Sequence, residues 1–404
     1  MLKKYPKRNI WISKTEFFKL LAFLIRPGIK GGAFVQEFEN RFKKYVGTQD
    51  AIAVSSGRFA LYLILKSLGL KKGDAILLSA YNFIGVPQSL LQDGYEPVFV
   101  DADPKTYQMD FRAISSKITQ RTKAIIATHL FGQLCDISQA AHFARKHNLF
   151  LIEDAAQALG SRYNNIPAGT ISDIGFFSFT GSKLLNTSYG GMIVTNDQSL
   201  GARIRDELSH YPVQPIGFTF LSRLKTYLYA LVTQRAVYGV FVHPLSRLLN
   251  LCGLDVLEVY KKIGRSVFPQ GKRKFNDMQA LIGLMQMTRI ERNVESRKTA
   301  ARRLIARLDP AISIQHNPPG SDPCYFMIPL KTKNKDLVYR HLLARGIDTN
   351  LQYASDCSGL TGSQNLIAEN SARSILTLNL PLDLKEEEIL YVAHSINSVK
   401  NLLT

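Results

Sequence analysis

The sequence of 404 residues is poor in cysteine, and Cys135, Cys252, Cys324 and Cys357 stand far apart with no Cys-X-X-Cys pair. That pattern suggests neither a zinc site nor a disulfide framework, and a reducing cytosol suits it. No stretch reaches the roughly 18 uninterrupted apolar residues of a membrane-crossing helix. The basic start, MLKKYPKR, leads into an apolar run from Phe17 to Ile25 that contains Lys19 and has no small-residue cleavage site behind it, so no signal peptide is expected. Repeats and low-complexity tracts are lacking too. With 46% hydrophobic and 21% charged residues, the composition excludes a disordered, collagen-like or coiled-coil chain. Acid is in short supply: 32 Asp and Glu against 51 Lys and Arg leave a net charge of +19. This excess favours anionic partners such as nucleotides, nucleic acid or an acidic membrane face. The charge is scattered and no nucleic-acid motif accompanies it, so nucleic acid is not expected. The shortage is complete from Leu208 to Leu254, which holds no Asp or Glu but includes the apolar pieces TYLYALV (226–232) and AVYGVFV (236–242).

What is present is an alternation of helical and strand-like segments, the pattern of an α/β unit with a mainly parallel sheet. Asp50–Val54 reads as a strand, Ser55-Ser56-Gly57 as a turn, and Leu61, Ile64, Leu65 and Leu68 as one face of a helix that Gly69 closes. Further strands are expected at Ala75–Ser79, Pro97–Asp101, Ala124–Thr128, Leu149–Glu153, Ile174–Phe179 and Met192–Thr195, which suits a seven-stranded sheet. The last hundred residues read as a smaller α/β unit. It has a strand near Tyr325–Leu330, a helix from about Asn334 to Arg345 and a final helix after Pro381. The expected division is 1–300 and 301–404, with the boundary in a long charged helix.

In open α/β sheets ligands collect beyond the carboxyl ends of the strands, so polar residues there take priority. Four groups qualify. SSGRFAL (55–61) opens a helix whose amides, with Ser56 and Gly57, can hold a phosphate, although a strand-to-helix turn needs Ser and Gly in any case. EDAAQALG (153–160) puts Asp154 after a strand, as a helix cap, an ion-pair partner or a cofactor ligand. FSFTGSKLLN (177–186) sets Lys183 among small hydroxyl residues, and such a lysine with a carboxylate nearby has the chemistry of a Schiff-base cofactor site. SAYNFIG (79–85) offers Phe83, either to stack on a flat ring or to fill the core.

In this order the groups resemble the DegT/DnrJ-type sugar aminotransferases, pyridoxal 5'-phosphate (PLP) enzymes of the aspartate-aminotransferase fold. The likeness runs through QEFENRFKKYVG (36–47), LIEDAAQALGSRY, IGFFSFTGSKLL, GGMIVTND, MQALIGLMQM and LNLPLDLKEEEI. It implies fold type I: a large domain with a seven-stranded, mostly parallel sheet, plus a smaller C-terminal α/β domain. It implies that Lys183 is the Schiff-base lysine and moves the reacting proton, that Asp154 pairs with the pyridine nitrogen, that Gln157 contacts the cofactor and that Phe83 stacks on its ring. Ser178, bracketed with Ser182, and Gly57 with the residue after it fall at the phosphate. The implied reaction transfers an amino group from an amino acid, usually glutamate, to a keto-deoxysugar on a nucleotide. The setting would be surface polysaccharide or related glycan synthesis, in a cytoplasmic homodimer. Family members with His at the lysine position deoxygenate sugars, so Lys183 points to transamination.

Three features depart from the family pattern. Arg58 replaces the Thr of the phosphate turn, and a guanidinium can bind phosphate bidentately or point outward. Lys272, in Lys272-Arg273-Lys274-Phe275, takes the place of an Asn that reaches the partner subunit's phosphate, either as a phosphate contact or as a solvated charge. Together they leave room for an inactive relative with a regulatory or scaffold role. The acid-free segment is part of an insertion, about 208–270, that is longer than the family usually carries. Tyr227, Tyr229, Val232, Val237, Tyr238 and Val240 there are expected either to pack on a partner subunit or to lie in a membrane interface, with Arg223, Lys225, Arg235 and Arg247 on anionic headgroups.

Overall fold

A computed structural model describes Tyr5 and residues 14–25, 31–181, 183–234, 237–245, 248 and 271–403. Ser182, Arg235, Arg247, Cys252 and the rest of the insertion lie outside the described residues.

Seven strands form the main sheet: β1 (Asp50–Val54), β2 (Ala75–Ser79), β3 (Glu96–Val100), β4 (Thr122–Thr128), β5 (Phe150–Asp154), β6 (Ile174–Ser178) and β7 (Gly191–Thr195). Their order is β1-β7-β6-β5-β4-β2-β3. β7 runs antiparallel to both neighbours and all other pairs are parallel, so the seven-stranded, mostly parallel sheet is as the sequence suggests. Near-continuous apolar runs are required because both faces are covered. Along β1, Ile52 and Val54 face α3 (Gly57–Ser67), whereas Ala51 and Ala53 face α2 (Ala33–Val46), which contributes Phe38 and Phe42. Residues of β2, β4 and β5 on that second face pack on α5 (Ile137–Lys146) through Ile137, Ala140 and Ala144.

Three helices gather beside the outer end of the sheet. α1 (Lys14–Ile25) buries Leu20 and Phe23 against Met278 and Ile282 of α8 (Asp277–Met287). α7 (Ile216–Val232) lies against the same cluster with Ile216, Phe220 and Tyr227. Among the described residues, no helix is long and apolar enough to cross a membrane.

The C-terminal residues form their own apolar cluster, around β8 (Ile328–Lys331), which pairs antiparallel with β9 (Ile375–Leu378). Helices Lys335–Ala344 and Glu386–Asn397 cover it. The charged helix Ile290–Ile305 joins the two regions, with Ile290 in the α2 cluster and Ala300, Ala301 and Leu304 in the C-terminal one. The strand expected to begin at Tyr325 begins instead at Ile328. Tyr325 has a left-handed φ of 49°, and the N–H groups of Cys324 and Met327 bond to the carbonyls of Gly132 and Phe131. Those bonds tie the segment to the main sheet before the strand starts.

Candidate active site

The carboxyl ends of β4, β5 and β6 bring the expected residues together. Asp154 is the last residue of β5 and is buried. Its Oδ1 accepts the Ala156 N–H at 3.0 Å, and no donor among the described residues reaches Oδ2. Burial pushes its acidity towards the neutral side, partly opposed by the Ala156 N–H and by the positive charge of Lys183. A buried carboxylate with an oxygen lacking a donor fits a ligand that presents a charged N–H, as the protonated ring of PLP does.

Lys183 follows β6 and is half-buried. Its Nζ donates to the Tyr353 hydroxyl at 3.0 Å and lies 4.4 Å from the Phe326 ring centroid. Phe131 stands 6.3 Å from the Tyr353 ring and Phe83 stands 6.5 Å from it, so the amine sits at the edge of an aromatic enclosure. Phe83 is 42% exposed, which makes it a pocket wall rather than core. Gln157 is buried, and its Oε1 accepts the Phe131 N–H at 2.8 Å. That bond holds Phe131 in an otherwise unfavourable left-handed conformation with φ of 63°.

The turn after β1 lies beside the end of β6. A Cβ on Gly57 would stand 3.2 Å from Ser178 Cβ and 3.6 Å from its Oγ, so the start of α3 and the Ser178 hydroxyl are neighbours. A helix N-terminus next to a hydroxyl makes a cradle of donors that fits a phosphate. The Ser56 hydroxyl caps α3, accepting the Phe59 N–H at 3.1 Å. Ser56→Ala should therefore cost about 1 kcal/mol of stability, as the loss of a helix cap usually does, measured by urea denaturation. A change below the resolution of the measurement would show that the cap does not carry that role.

Arg58 is exposed on the first turn of α3. Lys272 is not brought into this group. Its Nζ pairs with Asp93 at 2.7 Å and lies 3.1 Å above the Tyr62 ring. Its ammonium is engaged by a carboxylate and an aromatic face, and its backbone neighbour Gly271 accepts a bond from Ser55 Oγ.

Several site residues were not singled out by sequence. Phe326 and Tyr353 are far along the chain and carry no motif; each arrives by backbone pairing. Gly132 allows the first approach, since a Cβ there would lie 2.5 Å from the Phe326 N. The second comes from Ser355-Asp356, paired antiparallel with Tyr81-Asn82. Beneath Asp154, fully buried His129 and Glu153 bond at 2.9 Å. His129 Nδ1 accepts the Cys135 N–H, so the ring proton is assigned to Nε2, directed at Glu153. Burial works against the Glu153 charge, but His129 and the N–H groups of Gly169 and Ser172 outweigh it and hold the carboxyl below its usual range. The His129 N–H also bonds the Asp154 carbonyl, tying the ends of β4 and β5 together.

The loop bearing Lys183 is pinned from outside the sheet. The Asn186 carbonyl accepts from Arg223 Nη1 at 3.0 Å and from Gln286 Nε2 at 2.7 Å. Arg223, which the membrane alternative would put on headgroups, is fully buried, with its Nε on Glu16 Oε1 at 2.7 Å. Tyr238, expected at a partner or a membrane surface, is buried within this chain, and its hydroxyl donates to Asp348 at 3.0 Å. Burial follows from pairing: the guanidinium and the hydroxyl each find a partner inside this chain.

A lysine amine, a buried carboxylate at the end of a parallel strand and a hydroxyl-lined helix start on this sheet define a PLP-dependent enzyme of the aminotransferase fold. The chain belongs to the DegT/DnrJ/EryC1/StrS aminotransferase family, whose model matches residues 14–397, and its cofactor is PLP. It is 34% identical over 276 residues to GDP-perosamine synthase of Caulobacter vibrioides, a match covering 62% of this chain and 74% of that enzyme. It is 43% identical over 169 residues to GDP-perosamine synthase of Escherichia coli O157:H7, where the match spans 42% of this chain and only 46% of the relative. Its fold is that of Helicobacter pylori PseC, an aminotransferase of pseudoaminic acid biosynthesis, at a TM-score of 0.76 and 20% identity over 99% of this chain and 100% of the other.

Proposed function

We propose that this chain transfers an amino group from an amino acid, glutamate, to the keto carbon of a deoxysugar carried on a nucleotide, in surface polysaccharide or related glycan synthesis. The observation that carries the reading is the Lys183 amine, set by Tyr353 at an aromatic wall, near the buried Asp154 carboxylate. The kinship with two GDP-perosamine synthases supports a nucleotide-sugar acceptor. The excess of positive charge suits a nucleoside diphosphate. PLP, when bound, supplies the electron sink that acidifies the carbon bearing the transferred nitrogen. Asp154 holds the ring nitrogen in its protonated form. Lys183 Nζ would hold the cofactor and move the proton at the reacting carbon, with the Tyr353 hydroxyl to orient the amine. Phe83 would stack on the ring, and Gln157, which fixes the Phe131 backbone, would contact it. Ser178, Gly57 and Ser56 would hold the phosphate, with Arg58 beside them in sequence on the first turn of α3. Lys272 reaches a phosphate only by leaving Asp93. The enzyme works as a cytoplasmic homodimer.

The test is the absorbance spectrum of the protein loaded with PLP, before and after excess glutamate. Conversion of the visible band to the pyridoxamine form supports transamination from glutamate. A chain that retains no PLP overturns it in favour of a regulatory relative, the reading that Arg58 and Lys272 motivate.

Affinity for PLP is also expected to depend on pH through Asp154. Burial raises its pKa in the free protein, and pairing with a protonated ring favours the ionised form. Binding therefore releases the proton at low pH, and affinity rises with pH up to the free-site pKa before levelling off. Asp154→Asn should weaken binding and flatten this dependence in PLP titrations across pH; an unchanged slope would remove Asp154 from the role.

A further inference from the structure

Lys183 and Tyr353 are 170 residues apart in sequence, so the 3.0 Å bond between them depends on how two separate segments are held. The segment of Lys183 closes on Asn186, which is buried. The Asn186 side chain donates to the Gly181 carbonyl and accepts the Ser188 N–H at 2.7 Å, which ties the two sides of the loop together. Its backbone is gripped from outside the loop. Gln286 Oε1 accepts the Asn186 N–H at 2.9 Å, and the Asn186 carbonyl takes Gln286 Nε2 at 2.7 Å and Arg223 Nη1 at 3.0 Å. Thr226, also on α7, brings its hydroxyl to 3.4 Å from that of Ser188. These polar groups of α7 turn to the loop, while Leu221, Leu224, Leu228 and Leu231 of the same helix are exposed.

The segment of Tyr353 is gripped by the same insertion. Past α7, the buried Tyr238 hydroxyl donates to Asp348 Oδ2 at 3.0 Å, and His243 Nε2 donates to the Leu343 carbonyl at 2.7 Å. Asp348 opens the stretch that carries Tyr353. Farther along it the Asn350 N–H bonds the Thr377 carbonyl at 2.8 Å, and Ser355-Asp356 pair with Tyr81-Asn82. Tyr353 lies between these anchors. A buried Arg–Glu pair is a weak way to gain stability, because apolar groups of the same shape do as well. What buried polar contacts supply is direction, since a planar guanidinium fork and a hydroxyl each bond within a narrow range of angles.

We propose, resting on the reading of Lys183 as the reacting amine, that Arg223 and Tyr238 are positioning residues through which the insertion sets the Lys183 amine against the Tyr353 hydroxyl. Neither touches the reacting atoms. Arg223 acts through the Asn186 carbonyl, three residues after Lys183, and Tyr238 acts through Asp348, five residues before Tyr353. The long acid-free segment thereby has a task inside its own chain.

The test follows the visible band of the full-length, PLP-loaded protein after mixing with saturating glutamate. Glu16→Leu/Arg223→Met, which removes both buried charges together, should convert at least about tenfold more slowly than the wild type, the scale on which misplacing a reacting group acts. Tyr238→Phe keeps the ring and should convert about three- to tenfold more slowly. In both, the affinity for PLP and the half-saturating glutamate concentration should stay within about twofold of wild type. A role in folding alone would leave the conversion rate of the folded protein unchanged. The Tyr238→Phe loss should also shrink to less than about twofold in a Tyr353→Phe background, because the hydroxyl it positions is then gone. Variants that convert as fast as the wild type overturn the proposal. So does a loss confined to glutamate affinity, or a Tyr238→Phe loss equally large with and without the Tyr353 hydroxyl. Should Glu16→Leu/Arg223→Met not fold, the Tyr238 and Tyr353 comparison decides by itself. A wild type that glutamate does not convert fails at the earlier step, the reading of Lys183, and is told apart from a wild type that converts no faster than its variants.

Discussion

Lys183→Ala is expected to leave the fold and the melting temperature close to wild type and to lower transamination by at least about 10³-fold, the scale of losing both the covalent attachment and the positioned base. Its side chain is half-buried, so truncation opens no closed core cavity. What goes is the Nζ contact to the Tyr353 hydroxyl at 3.0 Å and the charge beside Asp154. Borohydride should fix PLP to the wild type at Lys183 and to nothing in the variant, as read by peptide mass. Residual activity within tenfold of wild type would take the role away from this residue. A control comes from Tyr353→Phe, which keeps the ring near Phe326 and Phe83 but removes the hydroxyl. Its effect should be smaller, because Lys183 keeps its own nucleophilic nitrogen.

Arg223→Met is expected to be among the most destabilising single changes in the chain, by about 3–5 kcal/mol, for a reason that has little to do with the packing of Met. Arg223 and Glu16 are both about 1% exposed, and Glu16 Oε1 accepts from the guanidinium and, at 3.0 Å, from the Tyr227 hydroxyl. Glu16 Oε2 already lacks a partner among the described residues. Removing the cation strands a charge in an apolar setting, and the cost falls on α1, α7 and the Lys183 loop together. The Asn186 carbonyl then keeps only Gln286. Replacing both partners, Glu16→Leu with Arg223→Met, should recover most of the loss, because no unpaired charge remains. Urea denaturation of the two single variants and the double variant decides it; a single variant within about 1 kcal/mol of wild type would mean that water reaches the pair. Lysine is a poor substitute, since Arg223 uses separate nitrogens for Glu16 and for Asn186.

Much of the large sheet was legible because its strands are short, apolar and bounded by turns. Asp50–Val54 and Ala75–Ser79 were read with the ends they have, and the other five fell within a residue or two. The start of α3 was legible for a similar reason: Ser-Ser-Gly before an apolar period is a helix opening. The insertion was less legible. Sequence marked its aromatics and arginines as the outward groups, but Arg223, Tyr238 and much of Tyr227 turn inward, where Glu16 and Asp348 satisfy their polar ends. The leucines that need no partner face out.

The sequence by itself determined the sheet, the helix starts, the family and the two groups at neighbouring strand ends, Asp154 and Lys183, because each follows from local pattern along a continuous stretch. Only the tertiary structure decided what surrounds the amine. Tyr353 and Phe326 come from beyond residue 320, brought in by the Ser355-Asp356 pairing with Tyr81-Asn82 and by the Cys324 and Met327 N–H bonds to the Gly132 and Phe131 carbonyls. It also decided that Lys272 pairs with Asp93 and that Arg223 braces the loop that bears Lys183. These are contacts between residues far apart in the chain, set by the closing of backbone hydrogen bonds and the pairing of buried charges, and no local period along the sequence encodes them.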